Sequence, residues 1–538
     1  MAHLHQRKQH PFLCSTPLLL QSLHKPIAAQ NQLTCLLQQT DITCKFRRQT
    51  CAVCKRGAEA EVVAAAPVEP RVQVLHHQPA SSRSKASTGQ WHVAGASLRL
   101  PHALVVFPTP PPPELEIGDP ALPHRALVEN ANAFAYRPPG LFPVALNLSS
   151  LPYGPHPDAT SPPRHFTLHT SVTSRHCSGR PSKASSPGLS AQAPSQVVVR
   201  DHLYAAVFAL VARACFGDGV DERHVSARQR VIQEFVVTAG ELSGIPLGSR
   251  LAKLVHRRRL RHLFAFRGRQ AELFLPLIAA RRRSRARHGG VRRPYVDSLI
   301  DVRVPSDNTG SRDIDCRRAL RDDEMWSLVS EFLGGGADTI VAIIEWTLAH
   351  LVIQPEVQSE LRREVDAVDA ASDKSLRKMP YLHAVVLESL RMHPSVPFVP
   401  HRVRAEDATL LGETTVPAGD FNVRFVVGDI GRDSKAWTDP DEFQPERYLA
   451  GGEAEGVGPS AGPKEMKMMP FGAGHRFCPG MGMAVVNIKC FLAALVREFE
   501  WAPPVEGGGG VDMTDLNVFF KVMKKPLSTR VTRRTRSV

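Results

Sequence analysis

No run of apolar residues in this 538-residue chain reaches the ~20 that a membrane-spanning helix needs. "LCSTPLLL", near the start, is short, is broken by Pro17, and is not followed by a small-residue cleavage site of the secretory type. The 10 cysteines are sparse and unevenly spaced, which argues against a disulfide framework and for a reducing compartment. "CAVC" at Cys51 to Cys54 has zinc-knuckle spacing, but no second CxxC or HxxxH pair follows it. Cys35 and Cys44 could complete four ligands. No internal repeat is present, so repeat architectures are set aside. Tryptophan stands only at Trp91, Trp326, Trp346, Trp437 and Trp501, which leaves the interval between the first two without one.

Hydrophobic residues make up 43% of the chain, enough for a substantial core. The formal charge, 67 − 52 = +15, favours anionic partners and says little about fold. The cations are clumped in "HRRRLRH" (His256 to His262), "RRRSRARH" (Arg281 to His288) and "RRTR" (Arg533 to Arg536). Solvated helix faces and a basic tail are the plain reading; a nuclear signal or nucleic-acid patch is the alternative.

The chain changes character along its length. From Met1 to about Ile117 it is rich in Gln, His, Ser and Pro, lacks a sustained period, and ends in "PTPPPPE", which favours extended polyproline. We leave residues 1–118 unassigned. Pro120 to Pro155 looks organised, but residues 156–195 are crowded with Ser, Thr, Pro and His and read as loop or disorder. From Val197 the pattern is globular and mostly helical. "DHLYAAVFALVARACFG" is apolar on all sides, as a buried helix is, and stops at Gly217. "LVSEFLGGGADTIVAIIEWTLAHLVIQ" is a long helix with glycines in its middle, and "MPYLHAVVLESLRMHP" is a helix stopped by Pro394. Short extended pieces follow, and then an apolar stripe of Ile488, Phe491, Leu492, Leu495, Val496 and Phe499 on a last helix.

One cysteine differs from the rest. Cys478 lies in "FGAGHRFCPG" (Phe471 to Gly480), at the mouth of that last helix, with Pro479 at a first-turn position. A thiolate ligates metal, and unpaired N–H groups at a helix N-terminus help it persist at neutral pH. Gly472, Gly474 and Gly480 let the backbone pass close to something flat and turn its N–H groups toward sulfur. Arg476 could pair with a carboxylate on the same ligand. The plain alternative is a buried cysteine in a turn.

The stretch resembles the haem-binding loop of the cytochrome P-450 family, F-x-x-G-x-R-x-C-x-G, matched at Phe471, Gly474, Arg476, Cys478 and Gly480. The resemblance implies that Cys478 is the axial thiolate of a haem b iron. "LESLR" is similar to the family's E-x-x-R helix at Glu388 and Arg391, residues three apart on one helix face, and "FQPERYL" supplies Arg447 as the implied third member of a structural Glu-Arg-Arg network. "GGADTI" resembles the mid-helix pattern A/G-G-x-D/E-T-T/S at Gly335, Gly336, Asp338 and Thr339, with Ile340 departing from it. Mid-helix glycines cost ~1 kcal/mol each against alanine, and a widened groove with room for dioxygen is a reason for them. Asp338 and Thr339 would be the catalytic residues, relaying protons to dioxygen. His401, with Arg402 beside it, stands where many members have an arginine that binds a haem propionate.

The resemblance is to the plant microsomal branch. It implies a mainly α fold with small β-sheets, the cytochrome P-450 fold, whose amino-terminal part is incomplete or aberrant here. We expect the domain to span 119–530, with 156–195 aberrant and 531–538 a basic tail. The family's W-x-x-x-R helix belongs where 156–195 lies, and no tryptophan is there; a shifted reading frame or a wrong exon choice is the preferred explanation. The implied function is a haem-thiolate monooxygenase that inserts one oxygen atom from dioxygen into a small apolar substrate. Electrons would come from an NADPH-dependent reductase, and no nucleic acid is expected. The alternatives are a haem-binding but inactive remnant and a non-enzymatic binding protein with a basic amino-terminal half. The implied location is the cytosolic face of the endoplasmic reticulum membrane. No anchor is legible, and a soluble protein is the alternative.

Overall fold

The structure, a computed structural model, describes residues 98–100, 104–107, 114–136, 196–217, 230–231, 234, 254, 257–285, 294–305, 317–368, 373–376, 378–403, 421–460, 462, 466–504, 510–517 and 520–534. The expectations for 156–195 and for the CAVC cysteines lie outside them.

Among the described residues, the helices are α1 (Ala121–His124), α2 (Val199–Phe216), α3 (Arg257–Arg285), α4 (Tyr295–Asp301), α5 (Asp322–Ile353), α6 (Pro355–Asp366), α7 (Asp373–Leu376), α8 (Pro380–Met392), α9 (Val427–Ile430) and α10 (Met481–Glu498). α1 runs directly into one wider helical turn, Arg125–Glu129.

The strands are short: β1 (Leu98–Leu100), β2 (Leu104–Phe107), β3 (Glu114–Ile117), β4 (Gln196–Val198), β5 (Arg303–Pro305), β6 (Arg317–Ala319), β7 (Phe398–Val403), β8 (Phe421–Val426), β9 (Phe499–Ala502), β10 (Asp515–Asn517), β11 (Lys521–Met523) and β12 (Ser528–Arg533). They form a five-stranded sheet in the order β1-β2-β3-β8-β7, a three-stranded sheet in the order β4-β12-β9, and two hairpin-like pairs, β5-β6 and β10-β11.

The axis of the core is α5. Asp322, Asp323 and Glu324 crowd its first turn, where they complement the helix dipole, and Glu324 Oε2 accepts the Arg321 backbone N–H at 2.7 Å. It ends one residue before Gln354, and Pro355 then opens α6 at a position where its missing N–H costs nothing. Val329, Leu333, Ile340, Ile344, Leu348 and Leu351 recur at helical spacing along one face of α5 and are all fully buried. α2, α3, α8 and α10 pack around it. By length and composition α5 could cross a membrane, but most of its apolar surface is buried against these neighbours.

The last helix, α10, buries the whole stripe read from the sequence, Ile488, Phe491, Leu492, Leu495 and Val496, with Phe499 just beyond its end.

Two expected boundaries move. The sheet begins before residue 119: β3 pairs in parallel with β8, Leu115 opposite Val423 and Ile117 opposite Phe425, with all four side chains buried. This strand is four residues long beside a proline run, too short for a period to show. At the other end β12 continues to Arg533, pairing with β9, and Val531 is fully buried. Arg534 then ties the chain to α6 through Asp366, at 2.6 Å. The first residues of the expected basic tail are thus part of the fold. The basic clump of α3 does form a solvated face at Arg257, Arg258, Arg259 and Arg261, while Arg281 is held by both oxygens of Asp297 at 2.7 Å.

Candidate active site

The loop from Phe471 to Gly480 is closed on itself by backbone bonds. Gly472 N–H donates to the Met469 carbonyl at 3.2 Å, Phe477 N–H to that of Gly474 at 3.1 Å, and Cys478 N–H to that of Phe471 at 2.9 Å. Gly472 and Gly474 hold φ of +71° and +64°, the left-handed region that favours glycine. At Gly474 a second constraint applies: a Cβ there would lie 1.9 Å from the Leu127 carbonyl oxygen.

Cys478 lies two residues before the α10 N-cap, Gly480, so Pro479 sits in a turn ahead of the helix rather than inside its first turn. The helix start favours the thiolate as expected, but burial outweighs it. Burial pushes the half-buried thiol up, and backbone N–H groups of Gly480 and Met481 aimed at it oppose that rise. A sulfur met by two backbone donors suits a bound thiolate better than a neutral thiol, which has little use for them.

A short stretch of chain, Leu127 to Tyr136, braces this loop. His475 Nε2 lies 2.8 Å from Asn132 Oδ1, and Arg476 Nε donates to the Ala135 carbonyl at 2.7 Å. Burial lowers the Arg476 guanidinium to about 10. On the far side of the same stretch His401, on β7, is buried and donates from Nδ1 to the Phe134 carbonyl, with its ring edge-on to Phe425. Arg402 N–H reaches the Tyr136 carbonyl at 2.9 Å. The structure thus brings Arg476 and His401 to two sides of one strap, and each spends one ring or guanidinium nitrogen on its backbone.

The glycines of α5 have separate reasons. A Cβ on Gly336 would meet Val211 Cγ1 at 3.1 Å and Met483 Cε at 3.3 Å, so this glycine lets α2 and the start of α10 pack close. A Cβ on Gly335 would meet nothing within 4 Å. Only Gly335, not the pair, opens space. The Thr339 hydroxyl donates back to the Gly335 carbonyl at 2.7 Å, and Ser395 Oγ donates to the Thr339 carbonyl at 3.0 Å. Asp338 turns the other way: Oδ1 accepts the Tyr204 hydroxyl of α2 at 2.8 Å. Burial raises its carboxyl to about 7. Asp338 and Thr339 are neighbours in sequence, yet each is hydrogen-bonded elsewhere.

Glu388, Arg391 and Arg447 meet in the core. Arg391 forks onto both carboxylate oxygens of Glu388 at 2.7 Å and reaches the carbonyls of Gly431 (2.9 Å) and Pro440 (2.7 Å). Arg447 Nε lies 3.3 Å from Glu388 Oε1, and its other nitrogens bind Glu453 and the carbonyls of Thr438 and Asp439. The Arg391 guanidinium lies 4.9 Å over the Trp437 ring. Tyr204, Ser395 and Trp437 join the site only in three dimensions. Each acts through a contact that crosses tens of residues of chain, and no local spacing announces it.

A mostly helical fold around one glycine-broken helix, with a donor-lined cysteine loop at the start of the last helix, defines a haem-thiolate oxidoreductase. The chain belongs to the cytochrome P450 family: the family model described as "Cytochrome P450" matches residues 185–531. It is 30% identical over 444 residues to Cytochrome P450 89A9 of Arabidopsis thaliana, spanning 78% of this chain and 84% of that one. With Cytochrome P450 78A3 of Glycine max it shares 36% identity over 245 residues, 44% of this chain and 43% of the other. A zebrafish cytochrome P450 in a structure with abiraterone superposes with a TM-score of 0.64 at 19% identity, over 81% of this chain and 96% of that one, which bears on the fold alone. Membership makes the protein a haem- and iron-binding monooxygenase of the kind that uses dioxygen and a redox partner, with the haem held by a cysteine thiolate.

Proposed function

We propose that Cys478 is the haem ligand and that the protein inserts one oxygen atom into a small apolar substrate, with electrons from an NADPH-dependent reductase. The observation that carries this is the cysteine loop: one sulfur, two backbone N–H groups turned toward it, and Gly474 packed so tightly on the Leu127 carbonyl that no side chain would fit there. A haem b bound there supplies one-electron and dioxygen chemistry, with the thiolate favouring O–O cleavage. Cys478 would hold it through Sγ, and Arg476 and His401, bound to the strap beside the loop, would be partners for its carboxylates. Gly335 leaves room on α5, and Asp338 and Thr339 hold and pass protons there. Glu388, Arg391 and Arg447 keep the polypeptide beneath the loop in place without touching the chemistry. Attachment to the cytosolic face of the endoplasmic reticulum follows from the likeness to plant microsomal members.

The test is incorporation of label from oxygen-18 dioxygen into product by the haem-loaded chain with NADPH and a plant reductase, across a panel of small apolar compounds. One labelled atom per product molecule supports the reading. Stoichiometric haem with no incorporation by any compound points to the second reading, an inactive remnant, which the missing tryptophan between Trp91 and Trp326 favours.

A further inference from the structure

We infer that Tyr204 is a positioning residue for proton delivery: its hydroxyl holds Oδ1 of Asp338 and so assigns the transferable proton to Oδ2. The inference rests on the proposed role of Asp338 and goes beyond it by naming the group that sorts the two oxygens of the acid.

Tyr204 projects from α2, 134 residues away in sequence, and is 3% exposed. Its ring lies nearly parallel to that of Phe208, with centroids 6.3 Å apart and planes at 19°. Burial, with the Asp338 carboxyl beside it, pushes the Tyr204 phenol well above its ordinary value; it remains a donor across the working range. A donor at 2.8 Å requires Oδ1 to accept. A proton on the acid therefore belongs on Oδ2. That oxygen is buried and has no hydrogen-bond partner among the described residues. A buried acceptor left without a donor is uncommon, and here protonation of Oδ2 relieves it.

The acid is poised to do this. Burial raises its carboxyl to about 7, opposed by the Tyr204 hydroxyl and its own backbone N–H, and no charged side chain of any packed element among the described residues acts on it. Thr339 supplies the matching polarity. Its hydroxyl proton is committed to the Gly335 carbonyl, which leaves its oxygen as an acceptor. The proton leaves Oδ2 for a water held by the Thr339 oxygen, that water passes on one of its own protons to the reacting dioxygen, and the carboxylate formed is stabilised by the Tyr204 hydroxyl until solvent water reprotonates it.

The experiment compares the haem-loaded full chain with Tyr204→Phe, which keeps the stacked ring and removes only the hydroxyl. Infrared pH-difference spectra follow the protonated-carboxyl stretch, assigned by its loss in Asp338→Asn. In parallel, hydrogen peroxide released per NADPH consumed is measured against pH with enzyme and reductase alone. Removing a donor to the charged form should move the carboxyl midpoint up by about one pH unit, and the rise in peroxide yield with pH should move with it. Phe208→Leu, which loosens the stack but keeps the hydroxyl, should leave both midpoints in place. An unmoved carboxyl midpoint in Tyr204→Phe, or an equal shift in Phe208→Leu, overturns the inference. A shifted carboxyl with an unmoved peroxide profile overturns instead the role of Asp338 on which it rests.

Discussion

The Nε2 atoms of His350 and His393 lie 2.8 Å apart in the core, with His393 stacked on Trp346 and His350 stacked on Phe443, each at a centroid distance of 4.1 Å. One ring donates and the other accepts, so the accepting ring is neutral. Burial, and then the nearby cations of Arg432 and Arg391, lowers His350 to about 3; burial, His350 and the cations of Arg432, Lys521 and Arg391 push His393 well down.

Both groups bind protons more readily in the unfolded chain, where histidine titrates near 6.5. Stability is therefore full above pH ~6.5 and falls as pH drops below it, by up to about 1.4 kcal/mol per pH unit for each histidine. Denaturant unfolding between pH 5 and pH 8 should show this slope, and His350→Gln should flatten it. A slope unchanged in that variant would remove the pair as its source.

Arg391→Ala should give little soluble protein. It leaves the Glu388 carboxylate buried without its fork, a loss of roughly 3–5 kcal/mol against a total stability of order 5–15 kcal/mol. Arg391→Lys should rescue little, because an ammonium cannot reproduce the bidentate fork and the carbonyl contacts. Soluble yield and the thermal midpoint report on both variants, and normal values in Arg391→Ala would contradict the structural role.

Thr339→Ala should retain haem and bind substrate but raise the peroxide formed per NADPH toward its ceiling of about one, as general-acid delivery of the proton is lost. The same ratio in variant and parent would take Thr339 out of proton delivery.

Two glycines should respond to alanine in opposite directions. Gly474→Ala sets a methyl into the Leu127 carbonyl at a left-handed φ and should prevent the loop from closing, seen as loss of folded yield. Gly335→Ala meets open space and should stabilise the helix by up to ~1 kcal/mol while slowing carbon monoxide binding to the haem-loaded protein. Thermal melts and flash-photolysis rebinding distinguish these outcomes. Faster or unchanged rebinding in Gly335→Ala would show that the open side of α5 does not face the ligand.

Much of the molecule is legible in the order of its amino acids. α2, α5, α8 and α10 announce themselves by apolar content, glycine or proline stops and helical period, because each buries a long face. Fixed spacing within a few residues is equally readable, as in Glu388 with Arg391 and in Phe471 to Gly480. What sequence hides is the long-range pairing. β3 is too short to show a period and is defined by its register with β8. Tyr204 looks like one more apolar position of a buried helix until α2 sets it against Asp338. The use of Gly336 for packing and of Gly335 for space cannot be told apart from two adjacent identical letters.

Everything proposed for the haem site depends on the sulfur of Cys478 holding the iron. The decisive observation is the reduced, carbon-monoxide-bound spectrum of the full chain expressed with haem precursor. The parent should show the red-shifted Soret band of thiolate ligation, Cys215→Ala and Cys490→Ala should keep it, and Cys478→Ala should lose it. Retention of that band in Cys478→Ala would contradict the assignment.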